Sequence, residues 1–139
     1  MTEVLVIVDM QVSFTAAQDA GLIAAIEKEA AAVSERGGHV VAISYDQSGM
    51  STVSVPGAKM LWKNQDDGGT IVYAYLLGAG LICSDLAVRI AGCNLAACVF
   101  ATACGLGQRL YEEHALCDHV TVATSLCGDG SRYRVRVAI

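Results

Sequence analysis

Three residues able to do covalent chemistry fall where apolar runs end. Asp9 follows VLVIV, Lys63 closes KMLWK, and Cys98 lies in a small-residue segment just past DLAVRIAG. Each run has strand character, and in open α/β sheets ligands bind beyond the carboxyl ends of the strands. Asp9, Lys63 and Cys98 are therefore expected on one edge of a sheet. A thiol near a helix N-terminus is stabilised as thiolate by the dipole and free amides, and a neighbouring ammonium adds to this. A carboxylate within reach takes the thiol proton and returns it to a leaving amine. Backbone amides around Ala97 and Cys98 can bind the oxyanion of a tetrahedral intermediate. The residues alone also permit plainer readings: Asp9 capping the next turn, and Cys98 as one more small apolar residue in a helix.

The elements that must position these residues follow from the hydrophobic pattern. Residues 4–8 are uninterrupted and β-branched, which suits a central parallel strand buried on both faces. From 16 to 36, Leu22, Ile23, Ile26, Ala30 and Val33 recur at helical spacing, and Gly37–Gly38 stops the helix. With a strand at 39–44 this makes a βαβ unit with a right-handed crossover. Residues 45–58 form an irregular loop leaving the carboxyl side of that strand. A short strand at 59–63, a turn at NQDDGG and a helix of about ten residues capped by Thr70 come next. The strand at 85–91 turns at Gly92 and leads into a helix carrying Cys98 and ending at 112–114. Further strands are expected at 119–124 and, from its alternating basic and apolar pattern, at 133–139 (YRVRVAI). The expected architecture is one domain over residues 1–139, an α/β/α three-layer sandwich with a mainly parallel, six-stranded, Rossmann-like sheet.

Composition narrows the partners. Only 17% of the 139 residues are charged and 54% are hydrophobic, and the net charge is −5 with no basic stripe outside Arg132, Arg134 and Arg136. That balance disfavours nucleic acid. No run is long enough to span a bilayer. The six cysteines lie in or beside apolar segments without a CxxC pair, and the N-terminal run is broken by Asp9 before it resembles a secretory signal. A reduced, cytoplasmic protein is expected. Three helices cannot cover both faces of six strands, and the surface is thinly charged, so a homo-oligomer (dimer or tetramer) is expected.

The order DMQxSF at 9–14, a lysine ending the third strand, and AGCNLAACV at 91–99 together resemble the isochorismatase-like cysteine hydrolases. The resemblance covers the chain to about residue 128. It implies that Asp9, Lys63 and Cys98 form a catalytic triad acting on a small molecule. It also implies a glycine six residues before the nucleophile, matched by Gly92, and a cis peptide just after it, at Cys93–Asn94, with Cys93, Asn94 and Ala97 shaping an oxyanion site. Gln11 and Phe14 match residues that flank the catalytic aspartate. Phe14, Tyr45 and Trp62 are candidate pocket walls, Trp62 being equally a candidate for the core. The resemblance points to C–N amide hydrolysis through a Cys98 thioester. The alternatives are an isochorismatase-type reaction on a non-amide substrate, for which the cysteine is dispensable, and a non-catalytic oligomeric binding protein. Relatives acting on nicotinamide hold a metal through an aspartate and histidines. YDQSGMST has no histidine, so neither metal nor other cofactor is expected. The chain is shorter than most such relatives, and its pocket is expected to be open or completed by a neighbouring subunit.

Overall fold

The central strand β1 (Thr2–Val8) is apolar from Val4 to Val8 and needs cover on both faces. Alternation divides the run between two cores. Val4, Val6 and Val8 pack with Val72, Leu76, Leu106 and Leu110 on one side, while Leu5 and Ile7 pack with Leu22, Ile26, Ala30 and Val33 on the other. Full burial of side chains this size contributes about 1.5–3 kcal/mol each. The computed structural model describes residues 1–129.

The remaining elements are α1 (Ala20–Glu35), β2 (His39–Tyr45), β3 (Lys59–Lys63), α2 (Gly69–Gly78), β4 (Leu86–Cys93), α3 (Phe100–His114) and β5 (Val120–Gly128). Strand order is β3-β2-β1-β4-β5, and every pairing is parallel. One face is covered by α1 and the other by α2 and α3, which makes the three-layer sandwich. Among the described residues the sheet has five strands, not six: the expected strand at 133–139 lies outside them. No helix there is long and apolar enough to cross a membrane. All six cysteines are free thiols.

Strand order reverses between β1 and β4, and the crevice outside their carboxyl ends is where such sheets bind ligands. Two local departures shape that crevice. First, α1 begins later than the alanine pattern suggests. Residues Thr15–Gln18 form a 3-10 turn, and Asp19 caps the helix by accepting the Leu22 N–H at 3.0 Å. Second, the expected turn at Gly92 is a kink inside β4, which runs on to Cys93 while its register with β5 shifts between Ile90 and Gly92. Gly92 has φ +113°, and a Cβ there would lie 2.1 Å from the Val8 carbonyl oxygen, so only glycine fits against β1.

Candidate active site

Asp9 leaves β1 at φ 53°, in the left-handed region that aspartate tolerates better than most residues. Its backbone is held there from three directions. The Asp9 N–H donates to the Ile43 carbonyl at 3.0 Å. The Asp9 carbonyl accepts the Gln11 N–H at 2.8 Å and the Cys93 thiol at 3.1 Å. The carboxylate is thereby buried beside β4, with only 1% of the residue exposed.

Lys63 closes β3 and is equally buried. Its Nζ sits 3.1 Å from Asp9 Oδ2, donates to the Gln65 carbonyl at 3.0 Å, and lies 3.6 Å from the centre of the Tyr45 ring. An anion, a carbonyl and an aromatic face replace its lost hydration, which is the condition for burying an ammonium. Asp9 Oδ1 has no hydrogen-bond partner among the described residues.

Cys98 is buried in a π-helical turn, Leu95–Val99, that precedes α3. Its thiol donates to Asp66 Oδ1 at 3.6 Å, and Asp9 is near enough to act on it as well. Burial pushes the Cys98 thiol well above the usual range. Asp9 pushes it further, the Lys63 ammonium pulls it back, and Asp66 adds to the rise. The resting sulfur therefore carries its proton, contrary to the expected thiolate. The helix start does not compensate, because the Ala97 and Val99 amides both donate to the Asn94 carbonyl, at 3.0 and 3.2 Å. Ala97, expected as an oxyanion donor, has spent its N–H. Burial likewise raises the Asp9 carboxyl, and the Cys98 thiol and Lys63 pull it down without cancelling the effect. A raised carboxyl beside a protonated thiol is a pair between which one proton can move. The Cys93–Asn94 peptide is cis.

The surrounding residues divide clearly. Gln11, fully buried, clamps the loop after β2. Its Nε2 donates to the carbonyls of Tyr45 and Gly49 at 2.9 and 3.0 Å, and its Oε1 accepts the Tyr45 N–H at 2.8 Å. This holds the Tyr45 ring over Lys63, with Phe14 against it at 6.3 Å between centroids. Trp62 is 54% exposed. It precedes Lys63 on a strand and so points to the opposite face, walling neither pocket nor core.

Asp66 is the residue that sequence reasoning missed. It accepts a short hydrogen bond from Tyr45 Oη. Its turn is fastened to α3 by Thr102, whose Oγ1 accepts the Gly68 N–H at 3.0 Å and donates to the Asp66 carbonyl at 3.4 Å. In the sequence it is one of two acids in NQDDGG, and nothing there separates it from an ordinary solvated turn.

No family model matches the chain, and no curated protein matches it. Solved structures do. A pyrazinamidase of Pyrococcus horikoshii, solved in complex with zinc, superposes with a TM-score of 0.73 over 95% of this chain and 89% of its own, at 20% identity. An isochorismatase-like hydrolase from Alkaliphilus metalliredigens matches at 0.68 over 95% and 84%, with 15% identity. The N-carbamoylsarcosine amidase of Thermoplasma acidophilum matches at 0.69 over 92% and 84%, with 19% identity. The chain has the isochorismatase-like hydrolase fold. Within this isochorismatase-like frame the loop at 45–58 offers one carboxylate, Asp46, and no imidazole. Among the described residues no three His, Cys, Asp or Glu side chains gather as a metal site. The donor set does not fit the zinc held by the Pyrococcus enzyme.

Proposed function

We propose that the chain is a cysteine hydrolase that cleaves a C–N amide bond of a small molecule, with Cys98 as nucleophile, Asp9 as base and acid, and Lys63 as the cation that holds Asp9. One observation carries the reading. The buried Asp9–Lys63 pair, joined at 3.1 Å from strands 54 residues apart, faces a buried thiol from a third strand end. A buried ion pair contributes little net stability and is costly once one partner is lost. Its location at the switch point of the sheet favours a chemical role.

The resting protonation sets the order of events. The Cys98 sulfur attacks the carbonyl carbon as its proton passes to Asp9, so no free thiolate has to persist in a buried site. Lys63 keeps Asp9 able to take up and release that proton. The tetrahedral oxygen falls to backbone amides at the β4–α3 junction, with the Cys98 N–H as candidate in place of Ala97. Asp9 then protonates the leaving nitrogen, the C–N bond breaks, and a thioester remains on Cys98. Water, losing its proton to Asp9, attacks that thioester and releases the acid and the thiol.

The test is ammonia release from a panel of small primary amides by the native protein and by Cys98→Ala. Release that depends on Cys98 supports the reading. Equal release by both proteins, or none from the native protein, rejects it.

A further inference from the structure

Asp66 supplies the site with a charge that the hydrolytic chemistry does not use. Lys63, the cation at the centre, is matched by Asp9, and no ion pair reaches Asp66 among the described residues. Its Oδ1 lies 3.6 Å from Cys98 Sγ, yet Asp66 itself is exposed while Asp9, Lys63 and Cys98 are buried. The carboxylate thus stands between solvent and nucleophile.

Its position is fixed. Tyr45 Oη donates to Oδ1, Thr102 holds the Asp66 carbonyl and the Gly68 amide, and the Gln65 carbonyl next to it accepts from Lys63. Tyr45 is neutral, its phenol raised by burial and by Asp66, so it orients the carboxylate without cancelling its charge. Oδ2 of Asp66 and the buried Oδ1 of Asp9 have no hydrogen-bond donor among the described residues. A ligand that brings donors and positive charge fits this arrangement. A carboxylate-bearing ligand meets repulsion close to the sulfur.

We propose that Asp66 makes the mouth of the site selective for ligands carrying a cationic or N–H-rich group, such as an amine, amidine or guanidine, next to the reacting carbonyl. This rests on the amidohydrolase reading for its substrate class, small cationic amides. The charge selection itself is measurable at Cys98 without turnover.

Two measurements test it on the 139-residue protein, Asp66→Asn and Asp66→Glu. The first is modification of Cys98 by aminoethyl, methyl and sulfonatoethyl methanethiosulfonates, read by peptide mass spectrometry, with the exposed Cys104 as internal reference. The cationic-to-anionic rate ratio at Cys98 is expected to exceed that at Cys104 by about tenfold. It should fall to the Cys104 value in Asp66→Asn, survive in Asp66→Glu, and shrink in about 0.5 M salt. The second is the ratio of kcat/KM values among β-alaninamide, butyramide and succinamate, where Asp66→Asn should remove the preference for the cationic amide over the neutral and anionic ones, whatever its effect on the absolute rates. A Cys98 ratio equal to that of Cys104, or one unchanged in Asp66→Asn, overturns the proposal. So does a Cys98 that none of the three reagents modifies. If the labelling preference holds and no amide is hydrolysed, charge selection stands and the amidohydrolase reading falls.

Discussion

Replacing Lys63 by Met keeps the side chain's length and apolar stem but removes its ammonium. Asp9 Oδ2 then loses a cation at 3.1 Å in a site where both side chains are at most 1% exposed. At an effective dielectric of about 20, that attraction is about 5 kcal/mol before desolvation is counted. Removing one member of a buried pair costs about 3–5 kcal/mol, because the other charge stays buried without compensation. Burial already raises the Asp9 carboxyl, and losing Lys63 raises it further. The sign follows from linkage. In the variant, folded Asp9 holds its proton where the unfolded carboxyl has released it, so stability falls as pH rises above about 4. The penalty of Lys63→Met should therefore be small near pH 4 and reach about 3–5 kcal/mol at neutral pH in urea unfolding. With its proton retained, Asp9 no longer serves as base, and kcat/KM should fall by about 10²–10⁴. The double variant Asp9→Asn/Lys63→Met should recover much of the stability and none of the activity. A penalty independent of pH, or below about 1 kcal/mol at neutral pH, would refute this reasoning.

Three other outcomes follow from the same geometry. Gln11→Ala removes the clamp on Tyr45 and Gly49, taking the partner from the Tyr45 N–H and the Gly49 carbonyl while the Tyr45 carbonyl keeps the Ser48 N–H at 3.5 Å. It should cost about 2–4 kcal/mol in chemical denaturation and free the Tyr45 ring from Lys63. Gly92→Ala places a Cβ against the Val8 carbonyl at a positive φ. Soluble expression should fail, or stability should drop by about 4 kcal/mol or more. Burial pushes the Cys93 thiol up to about 12 from about 9. Above pH 9 the unfolded thiol ionises while the folded one does not, so stability should be full below that pH and decline toward 12. The slope from this thiol is about 1.4 kcal/mol per pH unit, and Cys93→Ala should flatten the alkaline limb by that amount.

Strand ends were the most legible feature of the sequence. VLVIV followed by Asp9 and KMLWK ending in Lys63 each mark a run whose last residue must leave the hydrophobic layer, and parallel order brings those ends to one edge. Gly92 was misread for a local reason: a glycine at a turn and one pressed against a neighbouring strand look alike until the neighbour is known. Trp62 was ambiguous because edge strands do not bury both faces. The state of the Cys98 thiol was misjudged because a helix start and a lysine were weighed without burial, Asp9 and Asp66. Asp66 itself became visible only when Tyr45 and Thr102, from two other elements, were placed around its turn. The sixth strand, expected at 133–139, lies outside the described residues.

The central claim is a covalent one, and acid quench during turnover of a hydrolysed amide tests it most directly. Mass spectrometry of the peptide containing Cys98 should show the acyl group of the substrate on that sulfur, accumulating before free acid appears. Cys98→Ala should show neither adduct nor ammonia. Undiminished ammonia release from Cys98→Ala, or an acyl group on a different cysteine, would contradict the account.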